Sequence, residues 1–179
     1  MHEGKIEAQL LQVYDDYAAK LQQYATSLVR DAAFAQDAVQ EVFLRYAMML
    51  REGREITNPK AWLFRVLRNY ILDSVKSARV RNEVGMVELP DKADTTDDPE
   101  QQYVSAEFSV ALFKTLTPRE LECLRLRSHG MKYSEIAEVL SIRPGTVATL
   151  LSRCTTRIQQ MLEGKANPEK LATKDDYVS

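Results

Sequence analysis

Basic side chains gather in one short stretch of this sequence, at a density that would suit the binding of a polyanion. Residues 58–82 contain a single acid, Asp73, and six basic side chains: Lys60, Arg65, Arg68, Lys76, Arg79 and Arg81. Such cations can neutralise phosphate charge, but a basic cluster is more often only the solvated face of a helix. Charge therefore indicates a nucleic-acid partner only where a motif supports it.

The residue types that serve catalysis or metal binding are sparse and isolated. Cys123 and Cys154 have no CxxC spacing, and the chain has only two histidines. Both cysteines fall on the apolar face of a predicted helix, so we expect small buried side chains rather than metal ligands or redox groups. We find no paired carboxylates in a plausible cleft, no nucleophile–histidine set and no phosphate-cradling glycine loop. The sequence predicts no enzyme, no catalytic residue, no metal and no cofactor.

Charge is segregated along the chain, although the net charge of the 179 residues is only −2. Residues 83–110 carry eight acids and one lysine, whereas residues 111–164 carry eight basic and five acidic side chains. Two basic blocks divided by an acidic connector are typical of two DNA-contacting modules and a linker. No apolar run could span a bilayer, and the amino-terminal residues lack the apolar core of a signal peptide. We therefore expect a cytoplasmic protein without membrane insertion.

Apolar periodicity predicts helices and no strands. The first helix covers residues 6–28, with an apolar stripe at spacings of four and three: Ile6, Leu10, Val13, Tyr17, Leu21, Tyr24 and Leu28. A second covers residues 34–50. A third starts at Pro59, after Thr57 or Asn58 as its N-cap, and runs to about residue 80. Its predicted core side chains are Trp62, Leu63, Val66, Leu67 and Tyr70, so Trp62 is interpreted as core and not as a base-stacking platform.

A helix-turn-helix is predicted over residues 116–162. Its elements are, in order, a capping box at Thr117 and Glu120, a helix-ending Gly130, a short helix over 133–140, a turn at 141–143 and a last helix opened by Pro144. Ala137 supplies the small side chain that a close helix crossing needs. These offsets together favour DNA binding over an ordinary helical hairpin.

The last helix of this motif separates an apolar face from a small polar one. The predicted apolar face consists of Val147, Leu151, Cys154, Ile158 and Leu162. The opposite face carries Gly145, Thr149, Ser152, Arg153 and Thr156. Small polar residues allow close approach to a major groove, where hydroxyl and guanidinium groups reach base edges and phosphates.

Segments in both halves of the chain resemble bacterial sigma factors. Those of the second half resemble the family's region four: LTPRE at 116–120, YSEIA at 133–137, GTV at 145–147 and LSR at 151–153. Those of the first half resemble its polymerase-binding helix, DAVQEVFL at 37–44, and its promoter-melting helix, AWLFRVLRN at 61–69 with Asp73. Their order and spacing resemble the extracytoplasmic-function (ECF) group.

This resemblance implies an all-α chain of two small helical domains. A region two-like domain would cover residues 6–82, an acidic flexible linker 83–105 and a region four-like helix-turn-helix domain 106–164, followed by a polar tail at 165–179. The implied function is to bind core RNA polymerase and to direct promoter recognition, DNA melting and transcription initiation. An anti-sigma factor would be a further partner, and the acidic linker could either mimic a polyanion in the RNA channel or only add solubility.

The resemblance also implies sites in the first domain. Contacts to the clamp helices of the largest polymerase subunit would come from Asp37, Gln40, Glu41 and Arg45, with a merely solvated face as the alternative. Double-stranded DNA of the minus-ten element would be bound by Lys60, Arg65, Arg68, Asn69, Lys76 and Arg79. The loop at 51–58 would hold a base of the melted non-template strand.

The predicted minus-thirty-five site departs from the family pattern. Its contacts would be Arg143, Thr146, Thr149, Ser152, Arg153 and Arg157. Related sequences usually have basic residues where this chain has Ala148 and Leu150, and glycine where it has the turn residue Ser141. We therefore expect weak DNA binding by this half, with promoter choice depending mainly on the first half.

Two other functions remain open on sequence alone. A LuxR-type regulator also opens its output domain with LTPRE, but it lacks both the GTV segment and the upstream helix at 37–44. A sigma antagonist or decoy, which binds polymerase without initiating, would fit the weakly basic recognition helix.

Overall fold

The computed structural model describes residues 2–29, 31–80 and 115–166. All regular structure in these ranges is helical, which confirms the all-α prediction. The helices are α1 (His2–Leu28), α2 (Ala32–Arg51), α3 (Pro59–Val80), α4 (Pro118–Ser128), α5 (Tyr133–Leu140) and α6 (Pro144–Ala166). None of these helices is long and apolar enough to cross a membrane. The predicted acidic linker and most of the predicted tail lie outside the described residues.

Helices α1, α2 and α3 pack on one another around a common apolar core. The predicted stripe of α1 faces this core, with Leu21 and Tyr24 fully buried. On α2, Val42 and Tyr46 are also buried completely. Burial of large side chains such as these supplies most of the stability of a small helical domain.

The inward face of α3 is wider than the sequence predicted. Leu63 and Leu67 are buried as expected, but Phe64 and Ile71 are buried as well. The other three predicted core residues are only half-buried: Trp62, Val66 and Tyr70. The physical reason is that α3 packs against α1 and α2 on one side and against α5 on another, so two faces of the helix are apolar. A prediction based on a single apolar stripe could not identify the second buried face of α3.

Local hydrogen bonds and turns fix the helix boundaries, and most of these boundaries agree with the sequence predictions. The Asn58 side chain caps α3 by accepting a hydrogen bond from the Ala61 amide at 3.2 Å, so Asn58 and not Thr57 is the cap. At α4 the predicted capping box forms, because the Thr117 amide donates to the Glu120 carboxylate at 2.9 Å and the Glu120 amide donates to Thr117 Oγ1 at 3.3 Å. Gly130 follows α4 with a φ of 70°, as expected for a residue that terminates a helix.

The last three helices form the predicted helix-turn-helix, in which Val147, Leu151 and Cys154 of α6 are buried. The prediction for Leu162 is wrong, because this side chain is 52% exposed. Met161, three positions after Ile158, packs instead against Leu116, Leu121 and Cys154. The stripe therefore continues at a spacing of three, and Leu162 lies on the solvent side.

The turn between α5 and α6 contains the left-handed Ser141, with φ 53° and ψ 47°. We expect Ser141→Gly to raise the free energy of unfolding by about 0.5 kcal/mol, because glycine has no Cβ to clash in this conformation. Urea denaturation followed by circular dichroism measures the change.

The matched control is Ser152→Gly, which introduces glycine at an exposed position inside α6. This variant should lose about 0.5 kcal/mol, because glycine weakens a helix interior. A loss of stability in both variants would show that the left-handed turn is not strained by serine.

Candidate nucleic-acid interface

The predicted minus-ten residues lie along α3 and differ in their exposure. Lys76 and Asn69 are exposed, and Arg65 is half-buried. Lys60 and Arg68 are largely covered, with 16% and 22% of their side chains accessible. The side chain of Arg79 lies outside the described residues. The structure therefore separates the predicted minus-ten residues into accessible and covered side chains, a difference that the sequence analysis did not predict.

Arg68 is covered because its Nε and Nη2 both bind the carboxylate of Glu122 on α4. Its Nη2 donates a hydrogen bond to Glu122 Oε2 at 3.0 Å, and its Nε donates to Glu122 Oε1. The hydrogen bond to Glu122 raises the pKa of Arg68 above its ordinary value, although burial acts in the opposite direction. The pair joins residues that are 54 positions apart, one from each half of the chain.

Two further polar contacts connect the start of α3 to the helix-turn-helix half. The Lys60 ammonium donates a hydrogen bond to the Gly130 carbonyl oxygen at 2.8 Å and lies 3.6 Å from Glu135 Oε2. The side-chain amide nitrogen Nδ2 of Asn58 donates a hydrogen bond to Glu138 Oε2 at 3.4 Å. Together with the Arg68 pair, these contacts place acidic side chains of α4 and α5 against two of the basic side chains of α3, Lys60 and Arg68.

Aromatic rings fill the space between these polar contacts. The His129 imidazole lies 5.8 Å from the ring of Tyr24 and 5.8 Å from the ring of Phe64. Burial, and then the charge of Lys60, lower the pKa of His129 below its ordinary value. Burial raises the pKa of Tyr24, whose hydroxyl has no hydrogen-bond partner among the described residues. The two halves therefore share an apolar contact and are not joined by ion pairs alone.

The predicted polymerase-binding residues lie together on the outer side of α2. Asp37, Gln40 and Arg45 are exposed, and Arg45 Nε donates a hydrogen bond to Glu41 Oε1 at 2.7 Å. The Arg45 guanidinium also lies over the ring of Tyr70, 5.3 Å from its centroid. The four side chains thus form one continuous polar surface.

Two apolar side chains on this side of α2 were missed by the sequence reasoning. Leu44 is 62% exposed, and Met48 is similarly exposed one turn further on. Leu44 follows Gln40 by four positions, so it shares that residue's side of the helix. The sequence did contain a sign of this exposed pair, because Leu44 and Met48 fall outside the buried stripe of α2. Large apolar residues are unexpected there unless they contact a partner.

The predicted minus-thirty-five residues lie at the start of α6 and along its polar face. Five of them are exposed: Arg143, Thr146, Thr149, Ser152 and Arg153. Thr149 Oγ1 donates a hydrogen bond to the Gly145 carbonyl at 3.0 Å, which leaves its oxygen able to accept. The structure brings these five together on an accessible surface.

Arg157, the sixth predicted residue of this set, has a partner inside the protein. Its Nη1 donates a hydrogen bond to Oε2 of Glu120, a carboxylate that is only 1% exposed. Burial alone would raise the pKa of Glu120, but hydrogen bonds from Thr117 and Arg157 outweigh this effect and hold the pKa below its ordinary value. Glu120 therefore stays ionised inside the fold, and Arg157 supplies the compensating charge.

The two cysteines are buried, as predicted. Burial is the main reason that the pKa of Cys123 is raised to about 11, and it raises the pKa of Cys154 too. Both thiols are therefore protonated at neutral pH and behave as small apolar groups. Within the described ranges, no group of three or more histidine, cysteine, aspartate or glutamate side chains could hold a metal ion.

Comparison with known proteins identifies the family. Residues 13–81 match the Sigma-70 region 2 model, and residues 110–154 match the Sigma-70 region 4 model. The ECF RNA polymerase sigma factor SigL of Mycobacterium tuberculosis is 35% identical over 168 residues, which cover 88% of this chain and 91% of SigL. The ECF sigma factor BldN of Streptomyces coelicolor is 30% identical, over 86% of this chain and 60% of BldN.

A solved structure agrees with these relatives. The sigma factor RpoE from Bartonella quintana, determined in complex with the anti-sigma factor NepR, has 26% sequence identity and a TM-score of 0.62. The match covers 89% of this chain and 97% of RpoE. This chain belongs to the ECF RNA polymerase sigma factors. It binds core RNA polymerase and directs promoter recognition and transcription initiation, as the sequence analysis predicted.

The Glu120–Arg157 pair gives a direct test of whether Arg157 is structural. We expect Arg157→Ala to lower the free energy of unfolding by about 1 to 2 kcal/mol, because the buried carboxylate loses a charged donor. Denaturation in urea measures the change.

Arg153→Ala is the matched control, because Arg153 is exposed on the same helix one turn earlier. Its effect on stability should stay within about 0.5 kcal/mol. Equal losses in the two variants would contradict a structural role specific to Arg157.

Proposed function

We propose that this sigma factor uses three separate surfaces to bind core RNA polymerase and the two promoter elements. The outer face of α2 binds the clamp helices of the largest polymerase subunit, α3 binds and opens the minus-ten element, and the polar face of α6 binds the minus-thirty-five element. Each surface belongs to the domain predicted for it, at 6–82 for the first two and at 106–164 for the third. The observation that carries the proposal is the distribution of charged and polar side chains among these three helices.

The composition of the α2 surface supports a role in polymerase binding. Asp37, Gln40, Glu41 and Arg45 offer both signs of charge and an amide to a partner helix. Leu44 and Met48 add an exposed apolar centre, and protein interfaces commonly have such a centre inside a polar rim. We therefore add Leu44 and Met48 to the residues that contact the polymerase.

The chemistry of α3 supports promoter binding and melting. Lys60, Arg65, Arg68, Lys76 and Arg79 lie on one helix, where their charges would neutralise a run of phosphates and make affinity fall with salt. The exposed Asn69 side chain can donate and accept hydrogen bonds at a base edge. The loop before α3 includes the exposed Arg54, which can assist in holding an extruded base.

The surface of α6 supports only modest DNA affinity. Of the five exposed residues predicted to bind the minus-thirty-five element, Arg143 and Arg153 are cations, and the other three carry neutral hydroxyls. Arg157 is engaged by Glu120. Because phosphate contacts supply most of the affinity for DNA, this half places the complex and contributes less to its stability.

The remaining proposals concern partners and location. The related RpoE was solved with an anti-sigma factor, which supports an anti-sigma partner for this chain too. We propose that the protein acts in the cytoplasm, where core polymerase and promoter DNA are found. Its role is to bind and position macromolecules, with no covalent chemistry and no catalytic residue of its own.

Transcription in vitro distinguishes initiation from inhibition. With core polymerase and genomic fragments selected by sequencing the DNA bound to this protein in chromatin, we expect promoter-specific transcripts that core enzyme alone does not make. A chain that only suppresses transcription by other sigma factors would be a decoy. Failure to co-purify with core polymerase would contradict the proposed role of the α2 surface.

The exposed leucine of α2 allows a test of the polymerase surface. We expect Leu44→Ala to weaken binding to core polymerase about tenfold, because a side chain at an interface centre contributes disproportionately. Fluorescence anisotropy of the labelled chain with core enzyme measures the affinity.

The control is Leu162→Ala, which shortens another exposed leucine, near the far end of α6. It should leave the affinity for core polymerase unchanged. Equal weakening by both substitutions would place the interface elsewhere.

A further inference from the structure

The aromatic ring of Tyr70, on α3, lies against the side of α2 that carries the predicted polymerase-binding residues. It contacts Phe34 near the start of α2 and Arg45 further along the same helix. We propose that Tyr70 is a positioning residue for polymerase binding, which holds the Arg45 guanidinium beside Glu41 so that the pair meets the polymerase already ordered. This role rests on the proposed function of the α2 surface and adds a residue of α3 to it.

The Arg45 side chain is held from two directions, although 47% of it is accessible. The carbon of its guanidinium lies 5.3 Å from the centroid of the Tyr70 ring, within the range in which an aromatic face attracts a cation. Its Nε donates a hydrogen bond to Glu41 Oε1 at 2.7 Å. This bond uses one of the five N–H groups of the guanidinium, so the four on the terminal nitrogens are those that a group of the polymerase would accept.

Tyr70 can position Arg45 because its own ring is also held by α2. Phe34 stacks on it, with 6.2 Å between the ring centroids and 18° between the ring planes. Phe34 lies in the first turn of α2, where its amide donates a hydrogen bond to the Asp31 carboxylate that caps the helix, at 3.0 Å. The stack therefore fixes the Tyr70 ring relative to the helix that carries Arg45.

Tyr70 lies at the edge of the predicted polymerase surface. Glu41 and Arg45 are one helical turn apart, and the exposed Leu44 and Met48 follow them by three positions each. Arg45 is thus the member of this surface that contacts α3, through the Tyr70 ring. A ring at this edge can order the charged pair without itself contacting the polymerase.

Ordering of this arginine in the free protein favours binding. A long side chain loses rotamer freedom when it binds a partner, and less is lost when the side chain is already held in one place. A leucine at position 70 could fill the half-buried space, but it would offer no aromatic face to a cation. The contribution of Tyr70 to affinity therefore depends on its ring and acts through Arg45.

The test compares Tyr70→Leu with Tyr70→Phe in the full chain. Leucine removes the ring, so affinity for core RNA polymerase should fall about three- to tenfold. Phenylalanine keeps the ring and should leave the affinity within about twofold of the unchanged protein. Fluorescence anisotropy of the labelled chain with core enzyme measures both affinities. Equal losses in the two variants, or no loss in Tyr70→Leu, would overturn the inference.

The matched control is Tyr17→Leu, which removes a half-buried tyrosine from α1 in the same half of the chain. The Tyr17 ring also lies near a cation, with Lys20 Nζ 5.5 Å from its centroid. This variant should leave polymerase affinity unchanged, and a loss equal to that of Tyr70→Leu would contradict a specific role for Tyr70. If circular dichroism shows that Tyr70→Leu is unfolded, Tyr70→Met takes its place and must give the same loss, because methionine adapts to the same space.

Arg45→Met distinguishes positioning from an independent contact. It removes the guanidinium, so affinity for core polymerase should fall. Tyr70→Leu added to this variant should then cause no further loss, because its effect passes through Arg45. A further loss as large as in the chain with Arg45 intact would show that Tyr70 contributes by itself, which the inference excludes.

Nuclear magnetic resonance of the free chain gives a measurement that does not depend on polymerase. The Nε–H resonance of Arg45 should move in Tyr70→Leu, where the ring is lost, and stay nearly unchanged in Tyr70→Phe. If it moves but neither Arg45→Met nor Tyr70→Leu alters polymerase affinity, the inference fails together with the proposed role of Arg45. If Arg45→Met weakens binding and Tyr70→Leu does not, the positioning role alone is wrong and the proposed function of α2 stands.

Discussion

Phe64 of α3 packs against Tyr24 of α1 and against His129, which follows α4, so one side chain belongs to the contacts of both halves of the protein. This double packing constrains everything around it. It requires a second apolar face on α3. It also places Lys60 and Arg68, the cations on either side of Phe64, within reach of the acidic side chains of α4 and α5. Among the described helices, the one with the largest excess of basic over acidic side chains is therefore also the one that contacts both halves.

Two carboxylate–guanidinium pairs, each with a largely covered carboxylate, illustrate different uses of one interaction. Glu120 and Arg157 lie within the helix-turn-helix half, where the carboxylate also completes the capping box with Thr117. Those surrounding hydrogen bonds fix the pair in place, so breaking it would leave an ionised group buried. Arg68 and Glu122 connect the two halves instead, and separating them returns both charges to water. The first pair therefore stabilises one half of the protein, and the second joins the two halves.

Exposure distinguishes the functional surfaces more clearly than residue type does. Arg45, Arg68 and Arg157 are all arginines on predicted sites, and each binds a carboxylate of the protein itself. The Glu41 partner of Arg45 is accessible, whereas the Glu122 partner of Arg68 and the Glu120 partner of Arg157 are largely covered. A cation already paired in this way must lose its partner before it can bind a phosphate.

The sequence alone determined the features that depend on neighbours within about one helical turn. The Thr117 capping box, the left-handed Gly130 and the helix opened by Pro144 were all predicted, as were the motifs that indicate the sigma factor family. Only the tertiary structure decided the burial of Phe64 and Ile71, the exposure of Leu162 and the partners of Arg68 and Arg157. These features depend on side chains that are distant in sequence, 54 positions away for Arg68 and Glu122. Periodicity can show that a helix has a polar or an apolar side, but only packing decides what that side contacts.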